Sequence, residues 1–300
     1  MELATSTNLL FIRPDGRKAS LEETLTRVSA AGFRVFDLNF YDWSLPGSPF
    51  LGEEWERWLD GVGETAARLG VRFGQCHAYF YNFLDQRLTE EQRQRHQQLQ
   101  QRSLVCCQRL GAHTCVLHPE TVAGRVDYYA PSIEANYHYF APLLEQMKGM
   151  GLRLALENMC DYGIAPRRKF CAYPHELVEL VERFGDSSIG ICWDFEHGDI
   201  MEQDQAQCLR LMGKHLLATH VSDTYSKTDN TLMHVLPLTG TIRWQEVMPV
   251  LGEIGYTGDF AFEVHNYLNR LPDQVADTAL RLAYEVGMYL LSLGETANEG

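Results

Sequence analysis

The stretch GICWDFEHGDI, residues 190–200, runs from an apolar segment straight into three polar groups. Ile189, Gly190, Ile191, Cys192 and Trp193 read as a short strand buried on both faces. Asp194, Glu196 and His197 stand where that strand would leave its sheet. A strand made for a dry interior that ends on two acids and an imidazole predicts a polar centre at its C-terminal end. Seven further runs of the same kind occur, at 3–11, 34–40, 71–77, 114–118, 152–159, 216–221 and 260–264. Amphipathic stretches long enough for helices separate them. Two of these open on capping-box pairs, Ser20 with Glu23 and Thr89 with Gln92. Several close on a glycine before the next strand, at Gly32, Gly70 and Gly111. A last helical stretch, about 273–293, has no strand after it. Eight β-then-α units in 300 residues predict a single α/β domain over 1–300, a (β/α)8 barrel rather than an open doubly wound sheet. No G-x-G-x-x-G opens the first helix; the first loop is IRPDGRKAS.

In a closed parallel barrel the C-terminal strand ends meet on one rim, where barrel active sites lie. The residues expected there are Asp37, His77, His118, Glu157, Asp194, His220 and Glu263, separated by 40, 41, 39, 37, 26 and 43 positions. One acid at a strand end is usually a helix cap or an ion-pair partner. Seven polar ends in succession are not explained that way. Glu157, Asp194 and Glu263 would repel one another around His220 unless a cation stood between them. Three carboxylates and one imidazole suit Mn²⁺ first, with Mg²⁺, Co²⁺ or Zn²⁺ as alternatives.

A content of 45% hydrophobic and 22% charged residues is that of a soluble globular chain. No apolar run reaches membrane-spanning length, and MELATSTNLLF lacks the basic flank and cleavage site of a signal peptide. The net charge of −14 disfavours nucleic acid, whose binders neutralise phosphates with cations. Eight cysteines occur without a C-x-x-C pair, and Cys76, Cys115 and Cys192 fall in apolar runs. They read as free thiols in a reducing cytoplasm.

The segments SLEETLTRVSAAGFRVFDL, LHPE, LALEN, GICWDFEHG, THVSD, HVLPLTGTIRW and GDFAFEVH, in this order, resemble the xylose isomerase-like TIM-barrel superfamily. That superfamily holds sugar isomerases and epimerases, inosose dehydratases and endonuclease IV. The resemblance spans nearly the whole chain. It implies metal ligation by Glu157, Asp194, His220 and Glu263. His197 matches a histidine that binds substrate in the epimerases and an additional zinc in the nuclease. His77 and His118 match two further nuclease ligands, and His234 with Gly240 fits the nuclease HxxxxxG motif. The aspartate expected two residues before that histidine is Leu232, and Asp229 is out of register. The second, substrate-binding glutamate of D-tagatose 3-epimerase-like proteins is Gly163 here. Their substrate-binding arginine is Ser226, with Lys227 beside it.

The chemistry these residues favour is isomerisation or epimerisation of a hydroxy-ketone sugar or related polyol, by proton transfer through an enediolate. A divalent cation lowers the energy of that species, and Glu157 and Glu263 would move the proton. His197 reads equally as a substrate contact or as a structural histidine bonding a backbone carbonyl. His77, Lys227 and Trp43 are further expected substrate contacts; one or two aromatics of HAYFYNF at 77–83 and Trp43 are expected to form an apolar wall, the rest serving ordinary loop packing. His118 and His234 are additional metal or substrate groups. Arg167, Arg168 and Lys169 read as a solvated cluster or as the holder of a substrate anion. A nuclease-like phosphoesterase and an inosose dehydratase-like lyase are the alternatives. A small-molecule partner and no membrane are expected, with self-association into a homo-oligomer left open.

Overall fold

A computed structural model describes residues 1–161 and 169–295. Its eight parallel strands close into a barrel in sequence order. They are β1 (Glu2–Ser6), β2 (Val35–Asn39), β3 (Arg72–His77), β4 (Thr114–Leu117), β5 (Arg153–Glu157), β6 (Ile189–Asp194), β7 (Leu216–Val221) and β8 (Asp259–Phe262). The helices are α1 (Leu21–Ala31), α2 (Phe40–Trp43), α3 (Trp55–Leu69), α4 (Glu90–Arg109), α5 (Tyr129–Gly149) and α6 (Pro174–Phe184). They continue with α7 (Phe195–Ile200), α8 (Gln205–Met212), α9 (Trp244–Glu253), α10 (His265–Asn269) and α11 (Asp273–Glu295). The (β/α)8 expectation holds. No described helix is long and apolar enough to cross a membrane.

Side chains along a strand alternate between the two faces of its sheet. Here the alternation sorts residues by size. Leu154, Leu156, Ile191, Trp193, Phe260 and Phe262 belong to the large core between barrel and helices. Val116, Ala155, Cys192 and Ala218 form a separate small cluster, and Ala4, Val35 and Ala261 another. Two residues beyond Val35, Val116, Ala155, Cys192, Ala218 and Ala261 stand Asp37, His118, Glu157, Asp194, His220 and Glu263. The polar rim is therefore the next inward layer above small apolar residues, set by the pleat. Gly190 lies where a side chain would run into the His215 carbonyl and Leu217, so β6 and β7 approach only because it has none.

The capping-box signals act in full at α4 and only through the serine at α1, where the Glu23 carboxylate pairs with Arg17 and Arg27 instead. Ser20 accepts from the Glu23 N–H at 3.1 Å. Thr89 and Gln92 form the full reciprocal box at 3.2 and 2.9 Å. Gly70 closes α3 in the left-handed conformation at φ 64°. The first strand is shorter than the run 3–11. The chain turns after Ser6, with Phe11 N–H on the Asn8 carbonyl at 3.1 Å, while Leu9, Leu10 and Phe11 stay buried as loop residues. Apolar content marked burial there, not extension. The free-thiol reading of Cys76 is corrected, because Cys76 is disulfide-bonded to Cys107. Outward-facing β3 meets α4 there, which places the two sulfurs in one core layer. Cys115 and Cys192 are free and buried.

Candidate metal centre

Glu157 closes β5, Asp194 closes β6, His220 is the penultimate residue of β7 and Glu263 follows β8. Their ligand atoms all lie within 4.8 Å of one another. His220 Nδ1 is 3.2 Å from Glu157 Oε1 and 3.6 Å from Glu263 Oε2. Ligand atoms around a tetrahedral ion at ~2.1 Å are about 3.4 Å apart, so these separations suit a shared ion. Two buried atoms aimed into the cluster, His220 Nδ1 and Asp194 Oδ2, have no hydrogen-bond partner. Buried polar atoms are rarely left so. A divalent cation fits these two atoms and the charge of three carboxylates.

The side chains of the cluster are oriented by neighbours. His220 Nε2 donates to Asp37 Oδ2 at 3.0 Å, which leaves Nδ1 turned to the cluster as the atom able to bind a metal. Asp37 is buried and also accepts from Gln75 Nε2 and the His77 N–H, both at 2.9 Å. Asn39 Nδ2 donates to Glu263 Oε1 at 3.0 Å, while its Oδ1 caps α2. Asp194 caps α7 by accepting the His197 N–H at 2.9 Å through Oδ1, so only Oδ2 remains for the cluster. Asn158 accepts from Asp194 N–H at 2.6 Å and donates to the Asp194 carbonyl at 2.9 Å. Strand β6 therefore ends on three polar groups because Asp194 caps α7 and turns its second oxygen to the cluster, while Glu196 and His197 are held behind it. Gly198 allows α7 to lie against the Trp193 ring, 2.7 Å from where a Cβ would sit.

Electrostatics around the cluster favours a cation. Burial disfavours the His220 imidazolium, yet the negative groups around it, Glu157 and Glu263 among them, hold its pKa well above the usual value. Burial likewise disfavours the Glu157 carboxylate, but His220 and His118 outweigh this and hold it low. Burial pushes His118 down to about 4, leaving a neutral imidazole. His118 Nε2 is 3.0 Å from His77 Nε2 and 3.1 Å from Glu157 Oε2, and His77 Nε2 is 3.3 Å from the same oxygen. These three groups form a second constellation that shares Glu157 with the first.

One cavity of about 730 Å³ opens above the rim, with His77, His118, Glu157, His197, His234 and Glu263 in its wall. His197 donates from Nδ1 to the Asn158 carbonyl at 2.7 Å and still borders the cavity through the rest of its ring. The two readings of that residue are compatible. His234 adopts φ 53°, held by its N–H on Glu196 Oε2 at 2.6 Å, which also accepts from Ser222 Oγ at 2.7 Å. Glu196 is thus a buried brace for the loop after β7. The HxxxxxG spacing has a structural cause as well. A side chain at Gly240 would strike the Asp223 carboxylate, which gathers the Thr241 and Ile242 N–H groups and Trp244 Nε1.

Two expected substrate contacts are elsewhere. Trp43 is buried against Phe11 and Trp58, outside the cavity wall, because α2 turns its last residue inward to the helix layer. Of the HAYFYNF aromatics Phe80 borders the cavity, stacked on Tyr41 at 5.7 Å and 4.0 Å from His118, and Tyr41 takes the place expected for Trp43. Lys227 lies outside the wall, 3.7 Å from Asp199 Oδ1. Asp229 caps a turn by accepting from Thr231 N–H, so it does not take the place of the aspartate missing at Leu232. Lys169 borders the cavity; Arg167 and Arg168 lie outside the described residues. The orienting roles of Asn39 and Asn158 escaped the sequence reading. Their position one or two residues from rim acids was the available signal.

Solved structures of the same fold include a D-tagatose 3-epimerase-like protein (TM-score 0.75, 20% identity, covering 100% of this chain and 99% of that one). A D-psicose 3-epimerase solved in the presence of D-fructose matches at TM-score 0.72 and 15% identity, over 97% and 99%. An IOLI protein with a bound zinc atom matches at 0.71 and 17%, over 97% and 98%. Curated relatives include the uncharacterized protein y4fM of Sinorhizobium fredii, 24% identical over 51% of this chain and 48% of that protein. Another is the uncharacterized protein MJ1311 of Methanocaldococcus jannaschii, 25% identical over 52% of each. The chain spans about half the length of these curated relatives. The xylose isomerase-like TIM barrel family model matches residues 25–285, and the chain belongs to that family.

Proposed function

We propose that this protein is a divalent-metal-dependent sugar isomerase or epimerase, acting on a hydroxy-ketone or related polyol. The observation that carries this reading is the pair Glu157 and Glu263. They come from β5 and β8 and stand 3.2 and 3.6 Å from the unpartnered His220 Nδ1, beside the unpartnered Asp194 Oδ2, at the base of one cavity. Glu157, Asp194, His220 and Glu263 would hold Mn²⁺, or Mg²⁺, Co²⁺ or Zn²⁺. A bound ion supplies the Lewis acid that stabilises negative charge developing on the substrate oxygens. Glu157 and Glu263 reach a substrate from different walls, so one carboxylate takes the proton beside the carbonyl and the other, or the same one, returns it. His197, fixed by Asn158 and Asp194, hydrogen-bonds a substrate oxygen. Tyr41 and Phe80 cover the carbon chain and exclude water from the enediolate.

The test is incubation of a ketose and inosose panel in D₂O with metal-loaded protein. Deuterium should appear at the carbon beside the carbonyl. Glu157→Gln and Glu263→Gln should suppress it, with metal content measured in both. Full activity after chelation would refute the metal role. Turnover without solvent deuterium would replace proton exchange by a hydride shift, and loss of water from the product would identify a dehydratase. The His77–His118–Glu157 constellation supports a second reading, phosphoester hydrolysis at a multi-metal centre. The net charge of −14 and Leu232 weigh against it. Tight, salt-sensitive binding to abasic DNA would promote it.

A further inference from the structure

The wall of the cavity formed after β1, β2 and β8 carries polar groups that no step above uses. Asn8 is 3% exposed, borders the cavity, and its Oδ1 has no hydrogen-bond partner. Its Nδ2 is 3.3 Å from His265 Nδ1. Asp42, on α2, is another cavity residue, and the nearby Asn8 amide favours its charged form. Asn39 both caps α2 and binds Glu263, so Asp42 is mounted rigidly with respect to the metal cluster. His265 opens α10 and packs against His234 in a tilted arrangement, with ring centroids 4.3 Å apart. With Nδ1 facing the Asn8 amide donor and accepting from it, the His265 ring proton is on Nε2. The wall therefore offers acceptors on Asn8 and Asp42 and a donor on His265. That is the complement of hydroxyl groups, which both donate and accept.

We propose that Asn8, Asp42 and His265 form a second subsite that grips a vicinal hydroxyl pair of the substrate, at the end remote from its carbonyl. This rests on the sugar reading of the metal centre and adds to it a substrate class: an uncharged polyol chain, not a phosphorylated or carboxylated one. An anionic group there would meet the Asp42 carboxylate, and no lysine or arginine among the described residues borders that wall. Lys169 belongs to the loop after β5, across the barrel from β1. Burial and the nearby Glu263 carboxylate push Asp42 up to about 6, as expected for a wall already rich in negative charge.

The test compares probes that share a hydroxy-ketone end but differ at the other. Dihydroxyacetone has no remote hydroxyls, D-fructose has them, and D-fructose 6-phosphate carries an anion there. Binding to the Mg²⁺-loaded protein is measured by calorimetry or saturation-transfer NMR, with Mg²⁺ affinity and thermal melting as controls. Asp42→Ala and Asn8→Ala should each weaken D-fructose by about tenfold or more, the order of a lost hydrogen bond to a charged or buried group. Dihydroxyacetone binding should not change. Asp42→Asn, which keeps an acceptor and the shape, should lose less on D-fructose and improve D-fructose 6-phosphate relative to it. Equal losses for dihydroxyacetone and D-fructose would overturn the proposal by assigning Asp42 to the metal pole. Unchanged D-fructose binding in the variants, no D-fructose binding to the wild type, or tighter wild-type binding of the phosphate would also overturn it. Because the readout is binding, Asp42-dependent D-fructose affinity without deuterium incorporation would leave the subsite standing and remove the proposed reaction.

Discussion

Replacing Asp37 by asparagine tests the organisation of the centre without touching the four side chains proposed to hold the metal. Three donors converge on this buried carboxylate: His220 Nε2 at 3.0 Å, Gln75 Nε2 at 2.9 Å and the His77 N–H at 2.9 Å. A carboxylate offers acceptors only, whereas an amide offers one oxygen and one NH₂ group. Whichever way the introduced amide turned, at least one donor would face amide protons. That unsatisfied contact should cost about 1–3 kcal/mol of stability in the metal-free protein. If the NH₂ faces His220, the imidazole is pressed towards the other tautomer, with a proton on the Nδ1 proposed to bind metal. Loss of such an orienting partner typically weakens metal by about 10–100-fold, or roughly 1.4–2.7 kcal/mol. Mn²⁺ titration against a competing chelator measures the second effect, and thermal unfolding of the chelated protein measures the first. Asp37→Asn that binds Mn²⁺ as tightly as the wild type and is also as stable without metal would refute the three-donor arrangement around Asp37.

Asp223→Ala should destabilise the fold by about 2–4 kcal/mol, because the Thr241, Ile242 and Trp244 N–H donors lose their shared buried acceptor; chemical denaturation reads this directly. Glu120 borders the cavity, and burial pushes its acid up to about 7, with Lys169 opposing. Its folded pKa exceeds the unfolded one, so the unfolded chain holds fewer protons between them, and stability falls as pH rises from about 4.5 to about 7. Glu120→Gln should therefore raise the melting temperature at pH 8 and leave it unchanged at pH 4; equal shifts at both would contradict this.

Much of the centre was legible because a barrel converts one-dimensional spacing into convergence. Every strand end returns to one rim, so Glu157, Asp194, His220 and Glu263 could be grouped from their positions alone. What was not legible depended on how the chain turns after each strand. Trp43 and Tyr41 lie two residues apart in α2, and the helix turns Trp43 to the core and Tyr41 to the solvent-facing cavity mouth. Aromatic content could not say which. Lys227 follows a loop whose path is set by Asp223 and Glu196, contacts made across 15 to 38 residues. Cys76 and Cys107 belong to β3 and α4, and nothing local signals that their sulfurs share a layer.

The same geometry explains why orienting residues accompany the ligands so closely in sequence. At a strand end the pleat has placed the ligand inward, and the next one or two residues must begin a turn that needs its own hydrogen bonds. Asn39 caps α2 and binds Glu263; Asn158 joins β5 to the Asp194 backbone and holds His197; Asp194 caps α7 with one oxygen and offers the other to the centre. Each group satisfies the local turn and fixes the chemistry at once. Substituting such a residue disturbs the loop and the ligand together, so a loss of activity alone cannot separate the two. Asp37 avoids that ambiguity, since it lies within β2 and caps no helix. Its effect on metal binding reports ligand orientation itself, and the metal-free melting temperature removes the contribution of the fold.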